Sequence, residues 1–276
     1  MYFRPRTLGD ALAALADRPY RIAAGCTDLF PATERKVLPG PILDITAIAA
    51  LRGIERTDGG LRIGGLTTWA EIARADLPPA LRGLQLAARE VGAEQIQNRG
   101  TIAGNLCNAS PAADGVPPLL TLHAAVELAS ATGTRRLPLA TFLTGARQTD
   151  LRPGEVLAAV HLPHQSLEGA GHFLKLGARR YLVISIAMVA ARVVVEAGRI
   201  AEAAIAVGAC SAVALRLAAL EESLVGQPTD RPDVAPDLVT RALAPIDDMR
   251  ADRAYRLEAS VDLVRRAIAG AVGGAA

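Results

Sequence analysis

The sequence predicts an α+β protein of two domains, the first covering residues 1–165 and the second residues 166–276. Its length of 276 residues is typical of two domains or of one large domain. Hydrophobic residues make up 51% of the chain and charged residues 21%, which is enough apolar surface for a folded core. Helix and strand patterns alternate up to residue 165, whereas two long strands and then two helices are predicted after it.

The first domain begins with a helix that Thr7 should cap, because the acid Asp10 follows three residues later. "YRIAAG" has the pattern of a short strand that ends in a small-residue turn. "GGLRIGGLTTWAEI" predicts a turn, a strand and then a helix in which Thr68 and Glu71 form a capping box. "LRGLQLAAREVG" is helical by its apolar spacing.

A hairpin and a strand complete this domain. "AAVELASATGTRRLPL" predicts a hairpin around Gly133, and "GEVLAAVHLP" predicts a strand that stops at Pro163. In the second domain, "ISIAMVAARVVVEAGRIAEAAIAVGAC" predicts two strands joined at "EAGR". Two helical stretches follow, "AVALRLAALEESLVG" and "YRLEASVDLVRRAIAG".

Charge and cysteine content exclude several classes of protein. The net charge is +2, from 30 basic and 28 acidic residues, so the balance indicates neither nucleic acid nor an anionic membrane as a partner. Cys26, Cys107 and Cys210 lie far apart and form no CxxC, which argues against disulfides and against an iron–sulfur or zinc site made by this chain. Without a signal-like start or a membrane-spanning stretch, we expect a soluble, cytoplasmic protein.

Common catalytic motifs are absent from the sequence. It contains no GxGxxG that opens a helix, no GxxxxGK[ST], no HExxH and no GxSxG. The histidines, at positions 123, 161, 164 and 172, lack the spacing of metal ligands. We therefore predict no catalytic side chain and no metal ligand, and a self-contained hydrolase is not expected.

Two segments rich in small residues remain, "AAGCTDLFP" (residues 23–31) and "TIAGNLCNASPAAD" (residues 101–114). The second has residues too small for a good strand and is too interrupted by Gly and Asn for a stable helix, so both are expected as loops. Such loops can direct consecutive backbone N–H groups at an anion, and Thr27, Thr101 and Asn105 can add side-chain donors. From the residues alone, a clamp for one pyrophosphate and a pair of tight turns that serve close packing remain equally open.

The order and spacing of these segments carry a family resemblance. "AGCTDLFP" followed by "QNRGTIAGNLCNASPAADGVPPLL" resembles the FAD-binding medium subunit of the xanthine dehydrogenase family of molybdenum hydroxylases, and is similar to that of carbon monoxide dehydrogenase. The similarity extends through "LRIGGLTTWAEI", "GEVLAAVHLP" and "HFLKLGARRYLVISIAMVAARV" to "AAIAVGACSAVALRLAALEESLVG", so it covers nearly the whole chain.

The resemblance implies an FAD-binding domain of the PCMH/vanillyl-alcohol-oxidase-like type, followed by a CO-dehydrogenase-flavoprotein-like domain. FAD would lie between two α/β subdomains, roughly residues 1–55 and 56–165. In the family, the first segment wraps the FAD pyrophosphate and the second meets it from the other side, while positions 114, 157 and 175 lie at the cofactor. The implied cofactor-binding residues are Ala23, Ala24, Gly25, Cys26, Thr27, Asp28, Leu29, Thr101, Ile102, Ala103, Gly104, Asn105, Ser110, Asp114, Leu157 and Lys175.

The resemblance also implies a role and partners. The chain would carry electrons through FAD from two [2Fe–2S] clusters on a small subunit, in a complex whose large subunit holds molybdopterin. A dimer of heterotrimers is expected, with NAD, a quinone, oxygen or a carrier protein as external acceptor. A free-standing flavoprotein oxidoreductase and a non-catalytic protein that kept the fold are the alternatives.

Two positions depart from the family pattern. Cys26 and Ala103 stand where glycine is common in relatives, although some relatives carry Asn at the first position. If position 26 needs a positive φ, a cysteine there would be strained. Neither change removes a backbone donor, and Cys107 is interpreted as a small packing residue near the flavin.

Overall fold

The computed structural model describes residues 1–35 and 37–275, and Lys36 lies outside this description. The described chain is built on three main sheets with helices packed against them, which confirms the predicted α+β class. Among the described residues, no helix combines the length and the apolar character needed to cross a bilayer.

The first sheet is small, parallel and close to the amino terminus. Its elements are β1 (Tyr2–Phe3), α1 (Leu8–Asp17), β2 (Arg21–Ala23) and β3 (Ile42–Asp44). β3 lies between β1 and β2. Thr7 caps α1 as predicted, because its side chain accepts a hydrogen bond of 3.1 Å from the backbone N–H of Asp10.

The second sheet is antiparallel and has five strands. The elements of this region are β4 (Ile54–Thr57), β5 (Gly60–Gly64), α2 (Trp69–Arg74), α3 (Arg82–Glu90), α4 (Glu94–Gln97), α5 (Ile102–Asn108), α6 (Val116–Thr121), β6 (Ala125–Ser130), β7 (Gly133–Pro138), α7 (Leu139–Phe142), β8 (Leu143–Gly145), β9 (Gln148–Thr149) and β10 (Val156–Pro163). The strand order is β4–β5–β10–β6–β7, while β8 and β9 form a separate hairpin. The predicted capping box at Thr68 and Glu71 begins α2.

The third sheet forms the carboxyl-terminal part of the chain. Its elements are β11 (Ala170–Leu176), β12 (Ala187–Glu196), β13 (Arg199–Gly208), β14 (Leu215–Arg216), α8 (Ala218–Leu224), α9 (Pro236–Thr240) and α10 (Arg253–Ala275). β12 and β13 form the long hairpin that the sequence predicts, and α10 packs against this sheet.

Close backbone contact joins the second region to the third. A Cβ added to Gly171 in β11 would lie 2.3 Å from the carbonyl oxygen of Ala80, and one added to Gly83 in α3 would lie 3.0 Å from that of His172. Glycine at these two positions therefore lets α3 lie directly on β11. The fully buried Arg192 also bridges the two regions, because its Nε donates to the carbonyl oxygen of Thr121 at 3.0 Å.

Two predictions of local structure are wrong. The segment 101–108, expected as a loop, contains the helix α5, because Thr101 caps it and the apolar side chains of Ile102 and Leu106 are fully buried. The stretch "AVALRLAALEESLVG", expected as one helix, contains β14 before α8, because Leu215 and Arg216 pair with the edge of β13. In both cases tertiary packing outweighs local propensity.

Candidate cofactor site

Two cavities lie side by side between the first two sheets. Their volumes are about 510 Å³ and about 800 Å³, within the range of small-molecule and cofactor sites. Both are lined by the turn after β2, at Ala24, Gly25 and Cys26, and by Thr101 at the start of α5. The two predicted segments thus lie together, at the boundary between the cavities.

The turn after β2 leaves a row of backbone donors free. The N–H groups of residues 25–29 make no hydrogen bond to another described residue. Cys26 has a φ of +61°, the left-handed conformation in which a cysteine is strained, and its thiol donates to the carbonyl oxygen of Ala24 at 3.4 Å. Consecutive free N–H groups around a left-handed residue are an anion-binding arrangement of the main chain.

Gly25 brings this turn into direct contact with the chain that leads into α5. A Cβ at Gly25 would lie 2.1 Å from the carbonyl oxygen of Arg99 and 2.9 Å from the Cα of Gly100. No side chain fits at that distance, so glycine is a steric requirement here rather than a source of flexibility.

The start of α5 is arranged differently, because its backbone donors are already bonded. The N–H groups of Ile102 and Ala103 donate to the carbonyl oxygens of Thr67 and Gly65, at 3.0 Å each. The N–H of Gly104 donates to Thr101 Oγ1 at 3.1 Å. This segment therefore contributes side chains and an exposed glycine to the cavity, rather than a row of free donors.

Asn105 lines the smaller cavity from α5, as does Asn108 at the end of the same helix. The Oδ1 of Asn105 is buried and has no hydrogen-bond partner among the described residues. A Cβ at Gly115 would lie 3.1 Å from this oxygen and 2.3 Å from the Trp69 ring, so a second glycine makes room for both side chains. An unpaired buried amide oxygen is costly unless a ligand completes its hydrogen bonding.

The rest of the smaller cavity is apolar. Leu157 on β10 lines it as the resemblance implies, but most of this wall was not identified in the sequence. The apolar lining residues that sequence reasoning missed are Ile22, Ala32, Ile45, Trp69, Val91, Ile96, Leu151 and Val156. They look like ordinary core residues in the sequence, and no local pattern distinguishes them.

The charged residues that line the larger cavity are mostly cationic. Arg4, Arg35, Arg52 and Arg99 line it, with Asp44 as its acidic group. Burial raises the pKa of Asp44, but hydrogen bonds from Thr46 and Tyr2 and the charge of Arg4 together hold that pKa below its ordinary value. The carboxylate is thereby kept ionised, and the net charge of the lining suits an anionic ligand.

Five implied cofactor residues do not line the smaller cavity. Ala23 lines the larger one. Ile102 is fully buried in the core, and Ser110 accepts a hydrogen bond from the N–H of Ala112 at 3.3 Å within its own turn. Asp114 and Lys175 lie behind the cavity wall, where Lys175 Nζ donates to Asp114 Oδ2 at 2.7 Å. The other eleven implied residues line the smaller cavity: Ala24, Gly25, Cys26, Thr27, Asp28, Leu29, Thr101, Ala103, Gly104, Asn105 and Leu157.

Cys107 also lines the smaller cavity. Burial raises the pKa of its thiol to about 12, so the group stays protonated near neutral pH. A protonated thiol is a poor nucleophile and a small apolar surface, which suits the packing role predicted for it.

Comparison with known proteins identifies the family. Residues 1–165 match the model of the FAD binding domain in molybdopterin dehydrogenase, and residues 172–271 match the CO dehydrogenase flavoprotein C-terminal domain. The chain belongs to the FAD-binding subunits of the molybdopterin dehydrogenases. It is thus an oxidoreductase subunit of the xanthine and CO dehydrogenase family of molybdenum hydroxylases, as its sequence predicts.

Relatives and solved structures agree over most or all of the chain. The chain is 32% identical to the xanthine dehydrogenase FAD-binding subunit of Escherichia coli O157:H7, over 99% of this chain and 96% of that one. It is 35% identical to the nicotinate dehydrogenase FAD-subunit of Eubacterium barkeri, over 82% and 80%. The structure matches carbon monoxide dehydrogenase from Hydrogenophaga pseudoflava with a TM-score of 0.91 and 26% identity, over 100% of this chain and 98% of that one.

Proposed function

We propose that this FAD-binding subunit passes electrons from iron–sulfur clusters of a partner subunit to an external acceptor. The observation that carries the proposal is the row of free backbone donors at residues 25–29, beside the unpaired Asn105 Oδ1, in two joined cavities. A dinucleotide has an anionic centre and two bulky ends, and this arrangement matches that shape.

FAD fits the chemistry of the residues present. The free N–H groups of residues 25–29 would hold the pyrophosphate, with the cationic lining of the larger cavity next to them. The apolar walls at Val91, Ile96 and Leu157 suit the flat isoalloxazine ring and exclude water from it. When bound, the flavin can take up electrons singly and release them in pairs, so no proton-transferring side chain is assigned.

We also propose that all sixteen residues implied by the resemblance serve the cofactor site, some by direct contact and others by supporting the residues that make contact. The eleven implied residues that line the smaller cavity, together with Ala23, would contact the cofactor directly. Ile102 and Ser110 would support the α5 segment from the core and from the following turn. The Asp114–Lys175 pair would act at the wall of the cavity.

The names of the relatives support the proposed partners. Similar chains are named medium chain or medium subunit in carbon monoxide dehydrogenase and in nicotine 6-hydroxylase, names that imply companion subunits. We place molybdopterin on a large subunit and two [2Fe–2S] clusters on a small one, in a cytoplasmic dimer of heterotrimers. The acceptor would be NAD, a quinone, oxygen or a carrier protein.

We further propose domain limits of 1–165 and 166–276, with subdomains of roughly 1–55 and 56–165.

The test is retention of flavin. The purified chain is mixed with FAD and desalted, and the flavin-to-protein ratio is read from absorbance and fluorescence. We expect near-stoichiometric retention by the wild type and weakened retention by Asn105→Ala and Lys175→Ala. Arg266→Ala is the matched control, because Arg266 forms only an exposed ion pair on α10, at 3.4 Å from Asp262.

A chain that retains no FAD on its own is tested again as the complex purified from its native host. That complex should contain flavin, molybdenum and iron–sulfur clusters, and its flavin should be bleached by the substrate of the complex. A native complex without flavin would overturn the proposal. FAD bound without any copurifying molybdenum or iron–sulfur subunit would favour the free-standing flavoprotein instead.

A further inference from the structure

A buried polar cluster joins the amino-terminal and carboxyl-terminal regions behind the cavity wall. Asp114 is 6% exposed, and both of its carboxylate oxygens are bonded to groups of the third region. Lys175 Nζ donates to Oδ2 at 2.7 Å, and Ser185 Oγ donates to Oδ1 at 2.8 Å. Neither the sequence motifs nor the resemblance pointed to Ser185, which lies 71 positions from Asp114 in the chain.

The cluster supports the cavity wall at two points. Lys175 Nζ also donates to the carbonyl oxygen of Glu90 at 3.1 Å, and the next residue, Val91, lines the smaller cavity. Glu90 is the last residue of α3, where a cation stabilises the exposed carbonyl groups of a helix. On the other side, Asp114 directly precedes Gly115, the glycine that lies against Asn105 Oδ1.

Ser185 is itself held firmly in place. The residue is fully buried, and its carbonyl oxygen accepts a hydrogen bond of 3.0 Å from Arg250 Nη1. Arg250 is fixed in turn by Asp248, whose Oδ2 accepts from its Nε at 3.0 Å. The backbone of Ser185 is therefore tied to an Arg250–Asp248 pair of the third region, while its hydroxyl contacts Asp114.

We propose that Ser185 is a positioning residue for the cofactor site. Its hydroxyl orients Asp114, the carboxylate of Asp114 holds the Lys175 ammonium, and Lys175 holds the Glu90 carbonyl beside Val91. The inference rests on the proposed function, since it takes the smaller cavity as the place of the flavin.

Electrostatics gives this role a measurable consequence. Burial raises the pKa of Asp114, and the charge of Lys175 and the hydrogen bonds from Lys175 and Ser185 oppose that rise. Without the Ser185 hydroxyl, the carboxylate would bind a proton more readily, and less negative charge would stand behind the flavin. A less negative surrounding favours the reduced, more electron-rich flavin.

The test compares Ser185→Ala with Ser260→Ala in the preparation that retains FAD, either the chain or its native complex. Ser260 is an equally buried serine of the third region; its hydroxyl donates to the carbonyl oxygen of Arg256 at 2.6 Å and makes no hydrogen bond to Asp114, Lys175 or Ser185. Ser185→Ala should weaken the binding of oxidised FAD about tenfold, which is near the lower end of what a hydrogen bond to a charged group contributes. The two-electron reduction potential of the bound flavin should rise by about 30 mV, which corresponds to a tenfold shift of the equilibrium toward reduced flavin.

Ser260→Ala should leave both the affinity and the potential unchanged. A Ser185→Ala protein with wild-type affinity and potential would overturn the inference, and so would equal effects of the two variants. A wild type without FAD in every preparation would count against the proposed function instead. The crystal structure of Ser185→Ala then decides: a displaced Asp114 side chain supports positioning, whereas unchanged Asp114–Lys175 and Lys175–Glu90 contacts overturn it.

Discussion

The turn at residues 25–29 and the segment at residues 101–105 look alike in the sequence but differ in the structure. Both combine Gly with Thr and an Asx residue, and both line the smaller cavity. In the turn the backbone N–H groups are free, whereas at the start of α5 the N–H groups of residues 102–104 are bonded to Thr67, Gly65 and Thr101.

The difference shows how two similar compositions serve one site. The turn can offer its main chain to an anion because no neighbouring strand or helix uses those donors. The α5 segment uses its donors to anchor itself to the strand–helix connection before α2, so it forms a rigid wall. Changes that disturb the free main-chain donors of the turn should therefore act on cofactor binding, and changes around α5 should act mainly on stability.

Gly25→Ala should have the largest effect. The added methyl group would lie 2.1 Å from the carbonyl oxygen of Arg99, so the turn must move away from α5. We expect FAD retention to fall below detection and the free energy of unfolding to drop by up to about 3 kcal/mol. Gly9→Ala, at an exposed position of α1 where the nearest atom would be 4.0 Å away, is the control and should retain FAD. Full retention by Gly25→Ala would show that the turn does not bind the cofactor.

Lys175→Met should have the second-largest effect, because Lys175 pairs with Asp114, the last residue of the segment 101–114. Burial raises the folded-state pKa of Asp114, so its contribution to stability is present below the unfolded pKa and is lost as the pH rises through the folded one. Lys175 limits this loss of stability at higher pH because its charge stabilises the Asp114 carboxylate. When Lys175 is replaced, the loss of stability is larger. The variant should be less stable by roughly 3 kcal/mol at pH 7, because a buried charge is left unpaired.

Urea unfolding across the acidic to neutral range measures this difference. The deficit of Lys175→Met should be smallest near pH 4, where carboxyl groups begin to bind protons, and should grow toward neutrality. Arg266→Met breaks only an exposed ion pair and should cost less than about 1 kcal/mol at any pH. A deficit of Lys175→Met that stays constant over this range would contradict the assignment of the effect to Asp114.

Thr101→Ala should cost about 1 kcal/mol, the usual loss for a helix cap. The variant removes the acceptor for the Gly104 N–H and loosens the wall that faces the cavity. Thr7→Ala removes the same type of cap from α1, away from both cavities, and is the matched control. Thermal unfolding should give similar losses for the two variants, while FAD affinity should fall only for Thr101→Ala. Equal FAD affinities would mean that the cap of α5 supports stability alone.

Cys26→Gly should have the smallest effect, and a favourable one. Cys26 and Ala109 both adopt a left-handed backbone, with φ of +61° and +45°, and Ala109 ends α5. Glycine at either position should stabilise the protein by up to about 1 kcal/mol by removing this strain. We expect Cys26→Gly to retain FAD, since the free N–H at that position is unchanged. Loss of FAD in Cys26→Gly, with Ala109→Gly unaffected, would show that the thiol itself contacts the cofactor.

Local signals in the sequence were sufficient for much of the fold. The caps at Thr7 and Thr68, the hairpin around Gly133 and the long β12–β13 hairpin are confirmed, because each depends on residues that are neighbours in the chain. The order and spacing of the two small-residue segments were likewise sufficient for the family and its cofactor, because these features need no knowledge of packing.

Tertiary structure alone decided the rest. Residues 102–108 form a helix because Ile102 and Leu106 are buried in the core, and local propensity does not include the free energy of that burial. The apolar cavity wall and the contact between Ser185 and Asp114 join residues far apart in the chain, so no local pattern encodes them. The sequence by itself determined which elements and which cofactor family to expect. The packing of those elements decided which backbone N–H groups stay free to bind the cofactor.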